Sequence, residues 1–136
     1  MPVKPRISEE RLVAIVDDDA SVRQSARRLI CSLGYRAEAF GSADEFLDSG
    51  QATNTACLIL DVRMPRVDGL ELQRRLASSD LPIPIVFITA RANEEEERRA
   101  LRAGAVAFLR KPVDKETLLR VLGAVLEGPA SDGGNP

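Results

Sequence analysis

A chain of 136 residues has room for one domain of ordinary size, and with 44% hydrophobic and 29% charged residues it can bury a core and keep a solvated surface. Its net charge of −2 argues against a basic nucleic-acid-binding face, and the absence of histidine excludes a histidine-based triad, a histidine-ligated zinc site and a histidine phosphodonor. With 4% aromatic residues and no tryptophan, the core must be built from Leu, Ile, Val and Ala.

Residues 1–10 read as a loose arm, because Pro2 and Pro5 interrupt them and no apolar segment of a signal peptide is present. The first apolar run, Leu12–Val16, is too short for an independent helix and suits a strand. Val22, Ala26, Leu29, Ile30 and Leu33 then recur at helical spacing, with Gly34 as the stop. Arg36–Phe40 alternates polar and apolar residues, which predicts an edge strand. Ser42 is the expected N-cap of a short helix carrying Phe46 and Leu47, with Glu45 as its capping-box partner.

Apolar runs at 57–60, 85–88 and 106–109 predict further strands, each continuous enough to be covered on both faces. Between them, Leu70, Leu72 and Leu76 mark a helix entered through Asp68-Gly69, and residues 94–103 mark a fourth, closed by Gly104. Leu118, Leu119, Leu122, Val125 and Leu126 form the stripe of a fifth helix, with Asp114 as N-cap. Residues 127–136 have the Gly, Pro, Ser and Asp content of a linker or tail. Strand and helix thus alternate through 11–126, which predicts a parallel sheet sandwiched by helices. Cys31 and Cys57 fit no zinc or redox spacing and are expected to be buried small hydrophobes in a reducing compartment. No run approaches the ~18–20 apolar residues of a membrane span, so a soluble, cytoplasmic protein with no membrane contact is expected.

The polar residues at the strand ends carry the functional information. The first run ends in Asp17-Asp18-Asp19, the third in Asp61, the fourth in Thr89 and the fifth in Arg110-Lys111-Pro112. In a parallel sheet these ends share one edge, where open α/β folds bind their ligands. Taken singly, Asp19 reads as a helix cap, Thr89 as a capping hydroxyl and Lys111 as a solvated charge. Together they read as a crevice. Clustered carboxylates repel one another unless a hard cation joins them, and Mg2+ takes oxygen ligands while bridging to phosphate.

The stretches VAIVDDD (13–19), LILDVRMPRVDGLEL (58–72), IVFITA (85–90) and AGAVAFLRKP (103–112) resemble the receiver domains of bacterial two-component response regulators. The resemblance implies a CheY-like, flavodoxin-like doubly wound sheet of order 2-1-3-4-5 with five helices. It implies Asp61 as phosphoacceptor, with phosphate coming from a sensor histidine kinase or phosphotransfer protein. Asp18, Asp61 and the backbone carbonyl of Arg63 would bind Mg2+ directly, and Asp17 through water. Thr89 and Lys111 would hold phosphoryl oxygens, the Lys111–Pro112 bond would be cis, and Phe108 would be the aromatic rotamer switch. Plain core packing is the other reading of Phe108.

The resemblance also implies that the positions two residues beyond the acceptor and beyond the threonine flank the route of the hydrolytic water. Arg63 and Arg91 stand there, so their guanidiniums would retain the phosphoryl group, obstruct water and lengthen the phosphorylated lifetime; the other reading is two solvated arginines. Glu94 to Glu97 either serve only the helix dipole or help select a partner. The phrases FGSADEFL and LDVRMP are similar to regulators of the FixJ/LuxR type, whose receiver precedes a helix-turn-helix domain. The alternatives are a single-domain regulator, a pseudo-receiver that takes no phosphate, and an unrelated flavodoxin-like protein. The receiver would be a switch that promotes only its own phosphorylation and dephosphorylation, with no direct nucleic-acid contact. Dimerisation through the face of the fourth helix, fifth strand and fifth helix is the expected self-association.

Overall fold

In the computed structural model the described residues are 12–127, so the expected arm at 1–10 and all but the first residue of the expected tail lie outside them. Leu12–Val16 forms β1 and is buried along its whole length. The cause is its position: the strands lie in the order β2-β1-β3-β4-β5, so β1 is flanked on both sides and covered on both faces. The neighbours are Arg36–Phe40 (β2), Thr55–Leu60 (β3), Ile85–Thr89 (β4) and Ala107–Arg110 (β5), and every pairing is parallel.

The connecting helices are Ala20–Ser32 (α1), Ala43–Asp48 (α2), Gly69–Ser78 (α3), Glu94–Arg102 (α4) and Lys115–Leu126 (α5). Side chains alternate across a strand, and that alternation divides the core in two. Val13 and Ile15 of β1, Cys57 and Ile59 of β3 and Val86 of β4 pack with Ile30 of α1 and Leu118, Leu122 and Leu126 of α5. The intervening residues Ala14, Val16, Leu58, Leu60, Ile85 and Phe87 face the other way, onto Phe46 of α2, Leu72 and Leu76 of α3 and Ala100 of α4. The sheet is doubly wound, a flavodoxin-like architecture of order 2-1-3-4-5 with five helices.

Several local expectations need correction. Cys57 is buried, but Cys31 is exposed on the outer side of α1. The run at 106–109 does not make a strand covered on both faces: β5 is the second edge of the sheet, its residues are only partly buried or exposed, and Val106 lies outside it, 47% exposed. Leu119, placed in the α5 stripe by spacing, is also exposed. Ser42 caps α2 through the Glu45 amide at 3.0 Å, yet the Glu45 carboxylate reaches one residue further back and accepts from the Gly41 amide at 2.7 Å. The full capping box belongs to α4, where Asn93 accepts from the Glu96 amide at 2.8 Å and Glu96 reaches back to the Asn93 amide at 3.4 Å. A short 3-10 turn, Ala52–Asn54, precedes β3 and was not anticipated.

Candidate functional site

Parallel strands deliver their C-terminal residues to one edge, and three of those residues are polar yet buried: Asp17 after β1, Asp61 after β3 and Thr89 at the end of β4. Backbone ladders fix the first two, since the Asp17 amide donates to Phe40 at 3.2 Å and the Asp61 amide donates to Val16 at 3.1 Å. Asp18 between them is exposed. Carboxylate oxygens of Asp17, Asp18 and Asp61 all lie within 4.8 Å of one another. Asp19 leaves this group and caps α1, accepting from the Ser21 and Val22 amides at 2.9 and 3.3 Å.

Lys111 follows β5 and closes the crevice. Its ammonium donates to Asp17 Oδ2 at 2.8 Å and stands 3.7 Å from Asp61 Oδ2. Its own amide donates to the Thr89 carbonyl at 2.9 Å, and the Lys111–Pro112 peptide is cis. Burial alone would lower the Lys111 pKa, but the hydrogen bond to Asp17 and the charges of Asp17, Asp61 and Asp19 outweigh it and raise the ammonium above its usual value. The Asp61 carboxyl is raised as well, first by desolvation and then by Asp17, with Lys111, the Thr89 hydroxyl and the Arg63 backbone offsetting part of that rise.

One ammonium therefore serves two buried carboxylates. Lys111→Met is expected to destabilise the metal-free protein by about 1–2 kcal/mol at pH 7, between the values for exposed and fully buried pairs. The sign with pH follows from the raised ammonium: its contribution is complete below the ordinary lysine value of 10.5 and is lost only above it. Urea titrations should give the same difference between variant and wild type at pH 7 and pH 9.

The crevice has the features a divalent cation requires: three convergent carboxylates, two of them buried, and one monovalent counter-charge among them. Oxygen donors of this kind suit a hard cation such as Mg2+.

Arg63 does not present a free guanidinium: Nε donates to the Arg91 carbonyl at 3.3 Å and Nη2 to Glu96 Oε1 at 2.9 Å. Arg91 contributes that carbonyl, which also accepts from Thr89 Oγ1 at 3.2 Å, while among the described residues its side chain makes no hydrogen bond or ion pair. Phe108 is partly buried, with its ring centroid 5.8 Å from that of Phe87. The contacts of three further residues escaped the sequence reading. Arg23 donates to the Asp17 carbonyl at 2.9 Å, and Arg110 holds the Ala92 carbonyl at 3.3 Å and Glu97 at 3.1 Å. Gly69, the third, lies directly against the Asp61 carbonyl. The first two gave no signal, because an arginine's reach is not local in sequence.

The fold and this edge define a class: a doubly wound α/β domain with a lysine-paired acidic crevice at its strand ends. A family model described as the response regulator receiver domain matches residues 13–123. Nodulation protein W of Bradyrhizobium diazoefficiens is 42% identical over 120 residues, covering 88% of this chain and 53% of that protein. Transcriptional regulatory protein FixJ of the same species is 34% identical, over 81% of this chain and 54% of that one. A response regulator receiver protein from Burkholderia phymatum has a solved structure that superposes with a TM-score of 0.75 at 45% identity, covering 87% of this chain and 96% of that one. The chain belongs to the response regulator receiver domain family, signalling modules of two-component systems. It spans about half the length of the curated relatives it matches. Among the described residues, no helix is long and apolar enough to cross a membrane.

Proposed function

We propose that residues 11–126 act as a phosphorylation switch in which Asp61 accepts a phosphoryl group from a phosphohistidine of a sensor histidine kinase or phosphotransfer protein. The observation that carries this reading is the sharing of Lys111 between Asp17, at 2.8 Å, and Asp61, at 3.7 Å. It leaves an excess of negative charge that a cation and a phosphate can jointly resolve.

In the transfer an Asp61 carboxylate oxygen attacks phosphorus, the O–P bond forms and the N–P bond breaks. The leaving imidazole keeps the electron pair and later takes a proton. Mg2+ would be held by Asp18, Asp61 and the Arg63 carbonyl, with Asp17 acting through water. The chemistry that Mg2+ supplies when bound is neutralisation of charge on the carboxylates and the phosphoryl oxygens. Lys111 pairs with one phosphoryl oxygen and the Thr89 hydroxyl donates to another. Movement of Thr89 then frees space for the Phe108 ring to turn inward, shifting the population between two states.

The output face is formed by α4, β5 and α5. Leu101 at 42%, Val106 at 47% and Leu119 at 43% are the exposed large hydrophobic side chains of the described residues, and all three lie on or beside these elements. This supports a protein partner there or a second copy in a homodimer, with the α4 acids helping to select it. The domain contacts no nucleic acid directly, turns over no external substrate and works in the cytoplasm. The names of relatives such as transcriptional regulatory proteins TdiR and FixJ favour a receiver that precedes a DNA-binding effector over a single-domain regulator.

The test is intact mass spectrometry after incubation with acetyl phosphate. One added phosphoryl group in Mg2+ and none in EDTA is the expected result. No addition in either condition would leave a pseudo-receiver.

A further inference from the structure

The Arg91 carbonyl, in the loop between β4 and α4, accepts two hydrogen bonds: from Thr89 Oγ1 at 3.2 Å and from Arg63 Nε at 3.3 Å. The same guanidinium reaches on to Glu96 in the first turn of α4 at 2.9 Å, and the Glu96 carboxylate is only 17% exposed. Arg63 follows the acceptor strand by two residues beyond Asp61, so it bridges the acceptor loop to the loop and helix that lead to the output face.

We propose that Arg63 is a positioning residue that latches the β4–α4 loop in the unphosphorylated state and is drawn off that loop by the phosphoryl group. The inference rests on Asp61 being the phosphoacceptor. A phosphoryl group on Asp61 presents oxygens that are stronger acceptors than a neutral carbonyl. Thr89 and Arg63 are the two donors to the Arg91 carbonyl, and the new anion offers each of them a stronger acceptor. The carbonyl therefore loses both donors in one event, and the loop is released from two anchors together. Glu96 sets the strength of the latch, because it competes with the phosphoryl oxygens for the guanidinium. The differential interaction that a population shift demands is then explicit: Arg63 binds Glu96 in one state and the anion in the other.

Glu96→Gln isolates this competition. Glutamine retains the carbonyl oxygen that closes the capping box with Asn93, so the start of α4 is kept while the charge is lost. The probe is Mg2+-dependent binding of beryllofluoride, followed by ¹⁵N amide shifts. A partly exposed ion pair is worth up to about 1 kcal/mol, so E96Q should tighten binding by about two- to fivefold. In the free variant the Arg91 and Ala92 amides should lie part-way towards their bound positions.

Removing a negative charge near any anion site would also tighten binding, and the Arg63→Met background separates the two causes. The latch requires the effect of E96Q to vanish in that background, whereas a general electrostatic effect persists there. Wild-type binding with no response to E96Q, or an equal response in both backgrounds, overturns the latch alone. Failure of the wild type to bind beryllofluoride in Mg2+ overturns the reading of the site, and the latch with it.

Discussion

Asp61→Asn is expected to abolish phosphoryl incorporation from acetyl phosphate, a fall of at least about a thousandfold, because the amide offers neither the charge nor the nucleophilic lone pair of a carboxylate. The same substitution should stabilise the metal-free protein. Burial and the neighbouring Asp17 raise the Asp61 pKa, so the folded state holds this proton more tightly than the unfolded chain does. Stability therefore falls as pH rises from the ordinary carboxylate value of 3.8 through the raised one, and the penalty is complete above the raised value.

Asparagine removes that penalty. Urea unfolding in EDTA should show D61N more stable by roughly 1 kcal/mol at pH 7, with the gap closing towards pH 4. Addition of Mg2+ should raise the stability of the wild type by mass action and change D61N much less. A D61N variant less stable than wild type in EDTA would mean that Lys111 already neutralises the crevice.

Gly69→Ala is expected to cost about 2–4 kcal/mol, against the usual preference of helices for alanine. Gly69 is the first residue of α3, and its amide donates to the Val62 carbonyl at 2.8 Å. A β-carbon there would run into the Asp61 carbonyl oxygen and come within 3.1 Å of the Phe87 ring. The obstacle is backbone, so the turn that carries the acceptor must move. Phosphorylation should slow along with the loss of stability. Gly123→Ala within α5 is the control, because a β-carbon added there meets nothing within 4 Å. It should stabilise by about 0.5–1 kcal/mol. Equal effects at both positions, read as shifts in urea midpoint, would show that propensity outweighs the contact.

The legible parts of the fold were those written in local pattern. Leu12–Val16 and the run at 57–60 are continuous because they occupy the middle of the sheet, and β2 alternates because it lies at an edge. β5 was misread for a related reason: its apolar residues look like a covered strand, although Val106 and the outer edge face solvent. Cys31 was expected inside because it is a small apolar residue in an apolar stretch, and Leu119 because it stands in the apolar stripe of α5; both are exposed, since neither lies on the face its helix turns to the sheet.

The acidic crevice was legible because strand polarity brings Asp17, Asp18, Asp61, Thr89 and Lys111 to one edge whatever the details of packing. Its rim was not. The partners of Arg63 are a backbone carbonyl 28 residues away and a carboxylate 33 residues away, and the contact of Gly69 with Asp61 depends on how tightly one turn closes. The sequence EEEE at 94–97 announced a favourable helix start, and Asn93 with Glu96 carried a capping-box signal that could have been read. Nothing local indicated that Glu96 would also hold Arg63.

The central claim, that Asp61 is the residue that carries the phosphoryl group, is tested most directly by borohydride trapping. Acyl phosphates are reduced to alcohols, so protein treated with acetyl phosphate and Mg2+ should yield homoserine at position 61 on peptide sequencing by mass spectrometry. Homoserine at Asp17, Asp18 or any other position, or at no position in protein that has gained phosphate, would contradict the account.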